Sequence, residues 1–165
     1  MPVLMAQPGT VAGRQVSIPH GYAVRPCTPG DAATLARLYF AAYPPGVACA
    51  TLEEARADIA ATFSGEYGEL WLAASPVVHR DDDLAAAVLT VRRAIWEDAP
   101  ACAYIIEAFT APDQRRRGLA RAAVTAALAA LSAAGERQVA LTVAAENGPA
   151  RALYHALGFA EVEGA

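Results

Sequence analysis

Arg115, Arg116 and Arg117 stand in a row, followed by Gly118, Leu119, Ala120 and a fourth arginine, Arg121, in a chain whose formal net charge is -4. Guanidinium groups concentrated against an acidic background suit an anion, a phosphate above all. The small residues matter as much as the charge. A helix start leaves four backbone N–H groups unpaired and carries roughly half a positive charge, and side chains as small as Gly118 and Ala120 let an anion approach that backbone. No G-K-S/T follows, so this is not a Walker loop, and the glycines of a G-x-G-x-x-G fingerprint are missing. A solvated basic turn is the alternative for the arginines taken alone. Nucleic acid is not the expected partner, because no aromatics interleave with them and the chain is acidic overall.

The elements that must position this cluster are legible on either side. Ala103 to Thr110 reads as the strand before it. Gly118 to Ala134 reads as the helix after it, with Val124, Leu128 and Leu131 at i, i+4 and i+7 and Gly135 as the stop. Beyond lie an alternating strand at Val139, Leu141 and Val143, a short helix capped by Asn147 with Leu153 and Leu157 inward, and a last strand from Phe159. Upstream, Thr28-Pro29-Gly30-Asp31 is a capping box opening a helix with Leu35, Leu38 and Tyr39 on one face, stopped by Pro44-Pro45. Thr51-Leu52-Glu53-Glu54 repeats that start, with Leu52, Ala55, Ile59 and Phe63 inward and Gly65 as the stop. Glu69 to Ser75 and Leu84 to Arg92 read as two strands, with His79 to Asp83 as a polar turn and Trp96 to Pro100 as a connection. Strands with interleaved helices imply a mixed sheet covered on its faces, an α/β or α+β sandwich.

With 165 residues, 55% of them hydrophobic, the chain is long enough for one core and short for two domains. Residues 1–20, broken by Pro2, Pro8, Gly9, Gly13 and Pro19, read as a flexible tail with no secretory signal, and 21–165 as a single domain. No run of about 18 apolar residues suggests a membrane span, so a cytoplasmic protein is expected. Cys27, Cys49 and Cys102 are odd in number and scattered, as are His20, His79 and His155. No metal site is expected, and the cysteines read as small buried residues in a reducing compartment.

Two segments together resemble the GNAT acyltransferases. Arg115 to Ala120 fits the Gln/Arg-x-x-Gly-x-Gly/Ala acetyl-CoA motif and follows a strand ending Glu107-Ala108-Phe109-Thr110-Ala111-Pro112. Further on, Asn147, Ala150, Leu153, Tyr154, Gly158 and Phe159 fit N-x-x-A-x-x-L-Y-x-x-x-G-F. With Arg25 to Leu38 resembling the family's first strand and helix, the likeness covers about residues 22 to 160. It implies a mixed, mostly antiparallel sheet with a central splayed strand pair and helices on both faces. It also implies transfer of an acetyl group from acetyl-CoA to a primary amine, on a small molecule or on a protein N-terminus or lysine, by direct attack. A non-catalytic acyl-CoA-binding sensor or assembly module on the same fold is the alternative.

The resemblance also implies roles. The main-chain N–H groups of Arg116 to Arg121 would hold the CoA pyrophosphate. The strand near Phe109 and Thr110 would pair with the pantetheine arm, Asn147 would bind the arm, and Tyr154 would protonate the leaving thiolate. Glu107 is the candidate base, with a solvent-facing or arginine-paired glutamate as its alternative; for Tyr154 the alternative is a partly buried core tyrosine. Tyr43, Phe63 and Trp96 either line an acceptor pocket or belong to the core. In ribosomal-protein N-terminal acetyltransferases a glutamate base stands on the strand before the asparagine, where this chain has Thr142. The family usually adds a strand after the one at Gly158-Phe159, whereas this sequence ends at Ala165. That edge is dispensable, filled by the N-terminal tail, or covered by a partner, as in a homodimer.

Overall fold

The computed structural model describes residues 1–11 and 15–162. Gly13 of the expected tail and residues 163–165 lie outside them. The chain folds as β1 (Val3–Ala6), β2 (Ala23–Pro26), α1 (Ala32–Ala42), α2 (Leu52–Ser64), β3 (Pro76–Arg80), β4 (Asp83–Val91), β5 (Ala103–Thr110), α3 (Leu119–Ala133), β6 (Val139–Thr142), α4 (Gly148–Ala156) and β7 (Ala160–Glu161). The strands form one sheet in the order β2-β3-β4-β5-β6-β1-β7. Every neighbouring pair is antiparallel except the central β5 and β6, which are parallel.

The helices begin where the sequence supplies caps. The Thr28 N–H donates to Asp31 Oδ2 at 2.8 Å, and the Arg25 guanidinium holds both oxygens of that carboxylate at 2.8 Å. Those bonds, the arginine's above all, hold the Asp31 carboxyl down at about 2. The Thr51 hydroxyl accepts from the Glu54 N–H at 3.1 Å, and Gly65 closes α2.

Successive strand residues face opposite sides of the sheet. On one side Val78, Ala86, Val88, Ala103, Ile105, Val139 and Leu141 pack with Leu119, Val124, Leu128 and Leu131 of α3 and with Tyr154 of α4. On the other, Val77, Ala87, Leu89 and Phe109 pack with Leu35, Tyr39, Ala55 and Ile59 of α1 and α2. Among the described residues, no helix is long and apolar enough to cross a membrane.

Three expectations are corrected. The segment read as a flexible tail contributes β1, which pairs with β6 from Val3↔Thr142 to Ala6↔Val139 and with β7 at Leu4↔Glu161 and Met5↔Ala160. Leu4 is fully buried in the α3-side core, and that burial explains the ordering: Val3 to Ala6 carry apolar surface that the β6 edge can cover. The segment read as a polar turn, His79 to Asp83, opens with the last two residues of β3, where the outer His79 and Arg80 follow a buried Pro76, Val77 and Val78. Glu69 to Ser75, read as a strand, pairs with β4 through the single Leu70↔Val91 bridge and then tightens into a turn at Leu72–Ala74, with the Ser75 hydroxyl bonded to the Thr90 main chain. Gly68 lets it lie so close: a Cβ there would sit 2.1 Å from the Arg93 carbonyl oxygen.

Replacing Leu4 with alanine is expected to destabilise the domain by about 2–4 kcal/mol in chemical denaturation; a mobile tail would show no change.

Candidate active site

The site is organised by an irregularity in β5. Its antiparallel register with β4 runs Thr110↔Ala86, Phe109↔Ala87, Ala108↔Val88 and Glu107↔Leu89, then jumps to Ile105↔Thr90. Ile106 is the extra residue, a β-bulge, and it reverses which side of the sheet each following side chain faces. Ala103 and Ile105 point to the α3 side, whereas Phe109, four residues beyond Ile105, lies in the α1/α2 core. Glu107 goes with Phe109. The parallel ladder with β6 ends at the same point, at Ile105↔Leu141, so from Ile106 to Thr110 β5 keeps only β4 as a paired neighbour. The sheet therefore forks between β5 and β6, and one strand edge with its N–H and C=O groups borders the gap.

At the end of β5 the chain turns through Pro112–Gln114 into α3. Arg116 and Gly118 both take left-handed backbone, with φ 62° and 79°. At Gly118 a Cβ would meet nothing nearer than Pro19 Cγ at 3.9 Å, so the backbone angle selects glycine and the surrounding space stays open. The first bond entering α3 runs from the Ala122 N–H to the Gly118 carbonyl, which leaves the N–H groups of Leu119, Ala120 and Arg121 without helical acceptors. Arg115, Arg116, Arg117 and Arg121 make no salt bridge among the described residues. Arg115 nevertheless has a different task from its neighbours: its guanidinium donates to the Ala42 carbonyl at the end of α1, tying that helix to the loop. The open backbone and uncompensated charge fit a pyrophosphate.

On the α1/α2 side of the fork lies a cavity of about 250 Å³, bordered by Glu107, Asp58, Tyr39, Tyr67, Trp96 and Ile106. Ile106 and Glu107 are sequence neighbours that line the same hollow, as the bulge allows. The Tyr43 hydroxyl donates to Glu107 Oε2 at 2.9 Å. Burial pushes the Glu107 carboxyl up to about 7, opposed by the Tyr43 bond and assisted by the charge of Asp58. Asp58 receives the Tyr39 hydroxyl on Oδ2 at 2.9 Å and the Tyr67 hydroxyl on Oδ1 at 2.5 Å. Tyr154 is buried, edge-on to Phe159 at 5.5 Å between ring centroids. Burial, and then the charge of Glu107, raise its hydroxyl to about 12, so it keeps its proton near neutral pH.

The expected residues thus divide. Glu107 is neither solvent-facing nor paired with an arginine. The Phe109 ring is core, edge-on to Tyr39 at 5.5 Å, and only its main chain borders the fork, as does that of Thr110. Asn147 caps α4 through its side-chain oxygen, which accepts from the Ala150 N–H at 3.2 Å. Thr142 ends β6, opposite Val3. Trp96 lines the cavity, Tyr43 reaches it only through its bond to Glu107, and Phe63 lies in a separate hollow with Pro29 and Leu72. Asp58 and Tyr67 went unnoticed in the sequence. The available signal was Asp58 itself, an acid between Ala55 and Ile59 on the buried stripe of α2. No group of histidine, cysteine or carboxylate side chains among the described residues could hold a metal.

Solved structures share this fold. A GCN5-related N-acetyltransferase from Sphaerobacter thermophilus superposes with TM-score 0.70 at 19% identity, covering 98% of this chain and 48% of that one, so the present chain spans about half its length. An aminoglycoside N-acetyltransferase, AAC(6')-Iy, in complex with CoA matches with TM-score 0.67 at 19% identity over 90% of this chain and 95% of that one. The ribosomal-protein-S18-alanine N-acetyltransferase from Escherichia coli matches with TM-score 0.64 at 22% identity over 86% and 79%. No curated protein matches the sequence. The family model described as Acetyltransferase (GNAT) family matches residues 34–159, from the first turn of α1 to just beyond α4, and the chain belongs to that family.

Proposed function

We propose that the protein transfers an acetyl group from acetyl-CoA to a primary amine by direct attack, with Glu107 as base and Tyr154 as acid. The observation that carries this reading is the half-buried, tyrosine-held Glu107 where the sheet forks, on the strand that leads into the open start of α3. The main-chain N–H groups of Arg116 to Arg121 would hold the pyrophosphate, with the side chains of Arg116, Arg117 and Arg121 adding charge. The free edge of β5 at Phe109 and Thr110 would pair with the pantetheine arm, and Asn147 has its amide N–H groups left for the same arm. The co-substrate supplies an acetyl thioester whose carbonyl carbon accepts the amine nitrogen as the carbon–sulfur bond breaks.

Glu107 faces the α1/α2 layer and Tyr154 packs in the α3-side core, close enough that the charge of Glu107 raises its hydroxyl. An alkyl amine with pKa ~10.4 is neutral in about one molecule in 10³ at pH 7 and must lose its proton to attack. Against an ordinary carboxylate that transfer is uphill by about six pKa units; against Glu107 at about 7 it is uphill by about three, an easing of roughly 3 kcal/mol. Burial of the base thus does chemical work. Tyr154 has the opposite assignment. At about 12 it stays protonated and can donate a hydrogen bond to the departing sulfur, but a thiol of pKa ~8.5 leaves tolerably well unaided. The base therefore matters more than the acid.

Calorimetric titration with acetyl-CoA is expected to show micromolar binding that Gly118→Val abolishes, with a melting curve to show that the variant folds; binding retained in the variant would remove the loop from the site. Glu107→Gln is expected to lower thiol release in an amine screen by about 10³ and Tyr154→Phe by about 10² or less, with acetyl-CoA affinity unchanged in both. Equal losses, or none, would reassign the two residues, and binding with no turnover toward any amine would leave an acyl-CoA-binding module.

The same carboxyl makes stability depend on pH. Its folded value of about 7 lies above the ordinary 4.5, so between those limits the folded chain binds the extra proton and stability falls as pH rises. Glu107→Gln abolishes that term. Its stability relative to wild type is expected to improve by about 3 kcal/mol from pH 4.5 to pH 8 in denaturant titrations; a constant difference would mean that Glu107 titrates normally.

A further inference from the structure

The cavity beside Glu107 contains a second carboxylate that base catalysis does not use. Asp58 and Glu107 border one space, and no arginine, lysine or histidine is among the residues lining it. Asp58 is also held in place. Tyr39 of α1 and Tyr67 beyond α2 each give a hydroxyl to a different oxygen, at 2.9 and 2.5 Å, and the Thr62 hydroxyl bonds the Asp58 carbonyl at 3.0 Å. Two tyrosine hydroxyls donating to one carboxylate fix its direction, while each oxygen keeps a lone pair for a further donor. The remaining wall is aromatic, supplied by Tyr39, Tyr67 and Trp96, whose ring faces attract cations.

A tie between α1 and α2 would need only one of these tyrosines, and it would not need the carboxylate to open on the space Glu107 faces. Two acids facing one hollow repel each other, and the charge of Asp58 contributes to the raised position of Glu107. A ligand that is neutral at one end and cationic at the other relieves that repulsion while leaving Glu107 free to take a proton.

We propose that Asp58 is the specificity-determining residue of the acceptor site, and that the acceptor is a compact molecule with two amino groups, one presented to Glu107 and the other held as an ammonium by Asp58. This rests on the acetyl-transfer reading for the chemistry at Glu107, but the recognition it assigns to Asp58 can be measured without turnover. Tyr39 and Tyr67 are positioning residues that act through the carboxylate.

The test compares 1,3-diaminopropane and 1,4-diaminobutane with 1-aminobutane, by calorimetry and as acceptors in thiol release, using wild type and Asp58→Asn. The wild type is expected to bind at least one diamine about 10-fold or more tightly than the monoamine, with a correspondingly lower KM. Asp58→Asn is expected to erase that preference by raising the diamine KM about 10-fold relative to the monoamine KM, while any change in kcat caused through Glu107 is shared by both acceptors. Equal affinity for diamines and monoamine in the wild type would overturn the assignment without recourse to any variant, as would a preference that survives Asp58→Asn. A diamine preference with no acetyl transfer to any amine would support the assignment of Asp58 and overturn the transferase reading alone; transfer to mono- and diamines with equal efficiency would do the reverse.

Discussion

One extra residue in β5 sets the geometry on which the site depends. Without the bulge at Ile106, strand alternation would carry Glu107 to the α3 side, the side of Ala103 and Ile105, where Leu119 and Val124 fill the core. With it, Glu107 follows Phe109 to the α1/α2 side and meets Tyr43 and the cavity. The parallel ladder to β6 ends at the residue before the bulge, so the change of facing and the fork in the sheet occur together. A strand that stays paired on one edge and loses its partner on the other gives a rigid support with main-chain groups left for a ligand, and a bulge is a common device for re-aiming a side chain next to a site.

The consequence is an energetic compromise. A carboxyl raised to about 7 opposes folding at neutral pH, and the fold bears that cost with an extensive core on both sides of the sheet. The tyrosines temper it. Tyr43 satisfies one oxygen of Glu107, and Tyr39 and Tyr67 satisfy both oxygens of Asp58, so the half-buried acids are not left without donors. The acids are nonetheless left without a counter-charge among the residues lining the cavity.

How much of this was legible follows from how local each signal is. The capping boxes at Thr28 and Thr51, the heptad-like stripe of α3 and the cap at Asn147 depend on residues within a turn or two, and all were readable. Strand β5 was readable to its end residues because both flanks carry breakers. Strand β1 was not, since its four residues gain their burial from β6, more than a hundred positions later, and β3 was masked by polar residues at its outer end. The arginine-rich loop from Arg115 to Ala120 could be read as a candidate anion site, but the side-chain contact of Arg115 could not, because its partner is a main-chain carbonyl on α1. Glu107 was identifiable through family resemblance alone. Its surroundings depend on a bulge that no local pattern announces.

The claim that the fork and the α3 start form one acetyl-CoA site is tested most directly by hydrogen exchange at single amides with and without the co-substrate. Strong protection on adding acetyl-CoA is expected at the main-chain N–H groups of Arg116 to Arg121 and along Glu107 to Thr110, with little change in β1 and β2. Protection absent from both stretches, or confined to another face of the sheet, would contradict the account.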